Sequence, residues 1–316
     1  MRIAVMGAGA VGGYFGARIA TAAPDEAEVL FLARGRHLDA IRRDGLRIDS
    51  PAGNLHLTGV RATDDPADIG PVDVVLFAVK LWDTETAAAA CRPLLGPGTA
   101  VIALQNGVTA VEVLRRALGE AAVAGGVAHI AATIAAPGLI RHTGTLARLT
   151  YGELDGRRSP RLAAFHALAA RSGFDAILTD AILRVIWEKF TFLAPFSGVT
   201  ALTRQPVGVI RQVPETRALF LDAVAEVARL ARARDVDLGS DILARIETLM
   251  DGLAPAMKSS MLNDLERGGR LELPWLSGAV VRMGAELGVP TPVHRVIAAA
   301  LAPCADGPPM GGRGSA

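Results

Sequence analysis

The chain has 316 residues and a formal net charge of +1, with 33 Lys plus Arg against 32 Asp plus Glu. That length suggests two domains of about 150 residues each, and a hydrophobic fraction of 51% excludes disorder for most of the chain. Balanced charge argues against nucleic-acid and acidic-membrane binders, which need a clustered basic footprint. Two cysteines, Cys91 and Cys304, have neither metal-ligand spacing nor a disulfide framework. They predict a reducing, cytoplasmic setting and no bound metal.

In chain order, residues 3–6 predict a strand, 11–22 a helix, 29–33 a strand and 36–43 a helix. Residues 46–48 and 55–58 read as a small hairpin, 72–79 as a strand, 84–95 as a helix and 99–103 as a strand. Near-continuous apolar strands, each followed by a helix, predict an α/β fold with a doubly wound parallel sheet of Rossmann type. Residues 121–140 lack Asp, Glu, Lys and Arg, as a membrane span would. Ala, Gly and Thr dominate them, with His129 and Pro137 inside, so they read as core strands, with strands at 123–134 and 146–152. The apolar run at the N-terminus is too short for a signal-peptide core.

Beyond residue 180 helical periodicity takes over, at 182–196, 219–233, 242–253, 273–287 and 293–301. The reading is therefore an N-terminal Rossmann-type domain over 1–180, a C-terminal all-α domain over 181–302, and a disordered Gly/Pro-rich tail over 303–316.

The turn after the first strand reads Gly7-Ala8-Gly9-Ala10-Val11-Gly12, a G-x-G-x-x-G motif between strand and helix. Gly7 would permit the tight turn, Gly9 the approach of a pyrophosphate, and Gly12 close helix–strand packing. The helix N-terminus would offer unpaired N–H groups and a positive dipole end to the phosphates. At the end of the second strand an NAD site places Asp or Glu; this chain has Arg34 and Arg36 nearby and no acid. A guanidinium at Arg34 can grip a 2′-phosphate through paired hydrogen bonds, which predicts NADP(H). A solvated surface arginine would look the same.

Lys80 ends the strand at 72–79, and Asn106 follows the strand at 99–103 within Leu104-Gln105-Asn106-Gly107. Carboxyl ends of parallel strands face the ligand crevice, so both are candidate contacts. The plainer readings are a snorkelling lysine and an Asn-Gly turn. Only three basic residues are lysines, namely Lys80, Lys189 and Lys258. Lysine supplies a compact, deprotonatable ammonium that arginine does not. Lys189 shares a helix face with Val185 and Ile186, where desolvation would bring its pKa toward a useful acid–base range. Glu272 opens a helical run and could serve the helix dipole alone. Ser259 and Ser260 precede another helical run and could simply cap it.

Together these features resemble the ketopantoate reductase (2-dehydropantoate 2-reductase) family over residues 1–302. The markers are residues 7–12, Arg34, Val79-Lys80, Leu104-Gln105-Asn106-Gly107, Trp187-Glu188-Lys189, Ser260-Met261-Leu262-Asn263-Asp264 and Glu272. The resemblance implies NADPH-dependent reduction of a 2-oxo acid, 2-dehydropantoate to pantoate, in pantothenate biosynthesis. It implies Lys189 as the general acid and Glu272 as a catalytic partner near the cofactor ribose. Lys80, Asn106 and a backbone contact at Ile130 are implied for the cofactor. Asn106, Lys189, Ser197 and Ser260 are implied for the substrate. Where the family typically has two substrate-holding asparagines, this chain has Leu193 and Ser197; Pro195 and Gly198 depart from its proline pattern as well. Two alternatives stay open: a paralogue reducing a less polar 2-oxo acid, and a non-catalytic NADP-sensing protein. The expected partner is a small-molecule 2-oxo acid, with no nucleic acid and no membrane, and a homodimer is left open.

Overall fold

The structure, a computed structural model, describes residues 1–308. The chain divides into two units: Met1–Asn106 with Ala110–Val185, and Gly107–Thr109 with the chain from Ile186 onward. Periodicity in the sequence predicts this boundary after residue 180. The long helix that starts at Ile182 carries the chain across, so its first turn goes with the first unit.

Unit 1 opens with β1 (Arg2–Met6), α1 (Ala10–Ala22), β2 (Glu28–Leu32), α2 (Gly35–Asp44), β3 (Leu46–Asp49), β4 (Leu55–Leu57) and β5 (Ala62–Thr63). It continues through β6 (Val72–Phe77), α3 (Thr84–Ala90), β7 (Leu95–Ala103) and α4 (Thr109–Leu118). Strands β8 (Val123–Ala136) and β9 (Leu139–Glu153), helix α5 (Pro160–Ala169) and β10 (Asp175–Leu178) complete it. The strands form one sheet in the order β4-β3-β9-β8-β7-β6-β1-β2-β5, with β10 beside β9. The central run from β8 to β5 is parallel, while β8–β9 and β3–β4 are antiparallel. Chain order reverses across β1, whose neighbours are β2 on one side and β6 on the other. In doubly wound sheets such a reversal marks the ligand crevice at the carboxyl ends of the strands. One face of the sheet buries Ile3, Val5, Phe31, Leu76 and Ile102 with Phe15 and Phe165, and the opposite face is equally apolar, with Ala4, Leu30, Val75, Phe77 and Val101 buried.

The helix expected over 84–95 stops at Ala90. Pro93 lacks an N–H and sits in a short 3-10 turn, Arg92–Leu94, after which β7 begins at Leu95. The charge-free stretch 121–140 forms β8 and the start of β9, and among the described residues no helix is long and apolar enough to cross a membrane.

Unit 2 is helical: α6 (Ile182–Thr203), α7 (Val207–Gln212), α8 (Pro214–Ala233), α9 (Ile242–Gly252), α10 (Ser260–Glu266), α11 (Ser277–Leu287) and α12 (Pro292–Leu301). Their apolar faces share a second core around Phe190, Phe220, Val227, Met250, Val280 and Ile297. Gly198 lets α6 approach closely, since a Cβ there would meet two Ile297 side-chain atoms and Ser277 Oγ at 3.0 Å. The run read as one helix over 273–287 is broken at Leu276 into a 3-10 turn, Leu273–Trp275, and α11. Residues 303–308 of the segment expected to be disordered are tied down: Leu271 N–H donates to the Ala305 carbonyl at 2.8 Å, and Arg270 pairs with Asp306 at 3.1 Å. Residues 309–316 lie outside the described residues.

Candidate functional site

The carboxyl edge of the unit 1 sheet gathers the loops singled out above. Main-chain bonds carry the ladder past the strand ends: Ala78 N–H to Met6 O at 2.8 Å, Leu104 N–H to Phe77 O at 2.9 Å, and Ala8 N–H to Leu32 O at 2.7 Å. The Gly-rich turn, the Lys80 loop, the Asn106 loop and Arg34 therefore start from one level of the sheet.

Each glycine of the turn meets its own constraint. Gly7 has φ +96°, and a Cβ there would lie 2.8 Å from Val79 N. A Cβ at Gly12 would sit 2.4 Å from the Gly7 carbonyl and 2.9 Å from Val5. At Gly9 nothing lies within 4 Å, so the backbone there is open to a ligand. Gly9 caps α1, yet no side chain caps that terminus and no acid stands in its first turn. The donors there are left for an anion, as a dinucleotide pyrophosphate requires. Ala8 and Gly12 are buried, whereas Ala10 and Val11 keep partial exposure.

A brace that no sequence motif signals also holds this loop. Gly138 N–H donates to His37 Nδ1 at 3.0 Å, which leaves the proton on Nε2, and Nε2 donates to the Ala8 carbonyl at 2.9 Å. Burial lowers the His37 pKa, which favours this neutral form; the Ala8 carbonyl opposes the shift only in part.

Arg34 is the N-cap residue of α2 and is exposed, with one guanidinium nitrogen 3.0 Å from an Asp83 carboxylate oxygen. Exposed pairs of this kind contribute at most about 1 kcal/mol, so the guanidinium can turn to a phosphate at little cost. Lys80 is exposed, with its ammonium 5.4 Å from the Trp82 ring centroid. Asn106 is half-buried at the end of unit 1. Ile130 lies on β8 beyond the stretch paired to β7, at the point where the β8–β9 register shifts.

Unit 2 contributes a different kind of chemistry. Lys189 is half-buried on α6, and desolvation lowers its pKa from 10.5 to about 8 although the Glu272 carboxylate pulls it upward. Glu272 is buried at the start of the 3-10 turn Leu273–Trp275. An ammonium with that pKa is still mostly protonated at neutral pH and gives up its proton more readily than an exposed lysine.

The two serines behave differently from each other. Ser259 takes the capping role, its Oγ accepting from Leu262 N–H at 3.0 Å and from Thr200 Oγ1 at 2.7 Å; Ser260 is left exposed at the first position of α10. Ser197 is fully buried on α6, and its hydroxyl has no hydrogen-bond partner among the described residues. Leu193, one turn earlier, is half-buried.

Both units match known proteins. The family model described as "Ketopantoate reductase PanE/ApbA" matches residues 3–156, and the one described as "Ketopantoate reductase PanE/ApbA C terminal" matches 181–304. A 2-dehydropantoate 2-reductase of Mesorhizobium japonicum is 32% identical, covering 92% of this chain and 94% of its own length. One from Archaeoglobus fulgidus is 33% identical, covering 94% and 95%. The crystal structure of a PanE/ApbA family ketopantoate reductase from Ralstonia eutropha superposes with a TM-score of 0.87 at 34% identity, covering 96% of this chain and 98% of that one. Domain for domain and nearly end to end, this chain belongs to the ketopantoate reductase PanE/ApbA family of oxidoreductases.

Proposed function

We propose that this protein reduces a 2-oxo acid to the 2-hydroxy acid with NADPH, and that 2-dehydropantoate, giving pantoate, is its substrate. The observation that carries the reading is Lys189, an ammonium with its pKa brought to about 8 beside Glu272, in a family of reductases. The open backbone at Gly9, the uncapped start of α1 and the absence of an acid after β2 suit a dinucleotide with a 2′-phosphate. When bound, the reduced nicotinamide supplies the hydride for C2. Lys189 Nζ gives its proton to the carbonyl oxygen as that carbon is reduced, and Glu272 keeps the ammonium charged. Arg34 holds the 2′-phosphate, while Lys80, Asn106 and the Ile130 backbone hold the rest of the dinucleotide; Asn106 and Ser260 orient the substrate. In sum, one 2-oxo acid, one NADPH and one proton give one 2-hydroxy acid and NADP⁺. Free thiols at Cys91 and Cys304 suit a cytoplasmic setting.

A second reading, a less polar 2-oxo acid, is favoured by Leu193 and by the fully buried Ser197, which leave α6 few groups for a polar substrate. NADPH oxidation measured across a panel of 2-oxo acids tests both. Strong preference for 2-dehydropantoate supports the first reading, preference for an apolar acid the second, and no turnover with any acid contradicts both. Leu193→Asn should raise kcat/KM for 2-dehydropantoate selectively if the second reading holds.

A further inference from the structure

Gln105, between β7 and Asn106, has no part in the roles given above, yet its side chain is committed. Its Nε2 donates to the Val79 carbonyl at 3.0 Å and to Thr84 Oγ1 at 2.7 Å. Thr84 is buried and sends its own hydroxyl proton to the Leu81 carbonyl at 2.7 Å, so its oxygen can only accept from Gln105. Both amide protons are thereby spent, and the orientation of the amide is fixed. The Val79 carbonyl precedes Lys80, and Gln105 itself precedes Asn106, so one side chain sets the spacing between the two loops that carry those residues.

The other end of the amide is unusual. Gln105 Oε1 is buried and has no hydrogen-bond partner among the described residues. Buried acceptors are almost always paired, and a side chain kept only to join two loops would avoid that cost. In the sheet order β7-β6-β1-β2, the pyrophosphate turn follows β1 and Arg34 follows β2, which places the end of β7 on the far side of the pyrophosphate from the 2′-phosphate.

We propose that Gln105 is a positioning residue for the nicotinamide half of the dinucleotide, holding the Lys80 and Asn106 loops at a fixed spacing. Its Oε1 is the polar atom left for a donor that the chain does not supply. The nicotinamide half carries such donors in its carboxamide and ribose hydroxyls. This inference rests on the NADPH reading above.

The test is a binding measurement on the full chain with two probes: NADPH, and 2′-phosphoadenosine 5′-diphosphate, which lacks the nicotinamide and its ribose. Gln105→Leu should weaken NADPH about tenfold, the loss expected for a hydrogen bond of this kind, and leave the shorter probe unchanged. Equal weakening of both probes, or of neither, overturns the proposal. If Gln105→Leu does not fold, Thr84→Val removes one anchor and should weaken NADPH alone, with Thr84→Ser restoring it; a Thr84→Val protein that binds both probes as the unmodified protein does also overturns it. Failure of the unmodified protein to bind NADPH would contradict the functional reading itself.

Discussion

Unit 1 builds its ligand edge chiefly from backbone: three glycines with distinct steric duties, an uncapped helix terminus, and strand ends held level by main-chain hydrogen bonds. Unit 2 offers a single half-buried ammonium beside a buried carboxylate. The first arrangement suits a fixed anion through its geometry and has little to titrate. The second is tuned by desolvation and changes its charge near neutral pH. Binding and proton transfer should therefore be sensitive to different perturbations, so that substitutions in one arrangement leave the other intact.

The largest expected effect lies in unit 2. Lys189→Ala should lower kcat about a hundredfold to ten-thousandfold, the range for loss of a general acid, with the NADPH dissociation constant unchanged. Lys189→Arg should fail similarly, because guanidinium holds its proton near neutral pH. Steady-state kinetics beside a binding titration check both, and an active Lys189→Arg protein would contradict the assignment.

Within the Gly-rich turn, two alanine substitutions should separate fold from ligand. Gly12→Ala drives a methyl into the Gly7 carbonyl and Val5, so it should destabilise by roughly 1–3 kcal/mol and lower Tm. Gly9→Ala meets no protein atom, so Tm should hold while NADPH affinity drops about tenfold or more, some 1.4 kcal/mol. A lowered Tm for Gly9→Ala would contradict the open approach at that position.

Arg34→Ala should remove most of the preference for NADPH over NADH by losing a charge-assisted contact of roughly 1.5–3 kcal/mol. Comparing the two cofactors with the variant and the unmodified protein decides it, and equal use of both by the unmodified protein contradicts the 2′-phosphate role.

The smallest effect concerns stability. His294 is fully buried in unit 2, with Nε2 donating to the Ala223 carbonyl at 3.2 Å and Nδ1 accepting from Ser277 Oγ at 3.1 Å. Burial lowers its pKa from 6.5 to about 4. Between those values the unfolded chain binds the proton more readily, so stability should fall as pH falls from 6.5 toward 4, by on the order of 1–3 kcal/mol. Glu226, whose carboxylate accepts from the N–H groups of Val293 and His294, has a raised pKa and works in the opposite direction at the acid end. Unfolding titrations across that range read the slope, and a flat slope would contradict the neutral buried imidazole.

Local rules made the Gly-rich turn legible in the sequence, because each glycine answers to neighbours fixed by a strand–turn–helix unit. Lys189 was legible because lysine is rare here and helical spacing placed it on an apolar face. Helix α5 and strand β10 went unread. Strand β7 also begins earlier than the 99–103 predicted from sequence, and it tolerates Pro97 because pairing to β6 is interrupted there by a register shift between Val72 and Val74. The bracing contacts of Gln105 and His37 were not legible for another reason: their partners are the carbonyls of Val79 and Ala8, which only the assembled sheet brings near. The burial of Ser197 was equally beyond sequence pattern, since it depends on how α6 packs against the rest of its unit.

The most direct measurement is the pH dependence of two quantities on the same protein between pH 6.5 and 9.5: kcat/KM for reduction of the best 2-oxo acid, and the dissociation constant for NADPH. With Lys189 titrating near 8 as general acid, kcat/KM should fall as pH rises through about 8 while NADPH affinity stays level. A rate that stays flat across that range, or an NADPH affinity that falls with it, would contradict the division of binding and proton transfer between the two units.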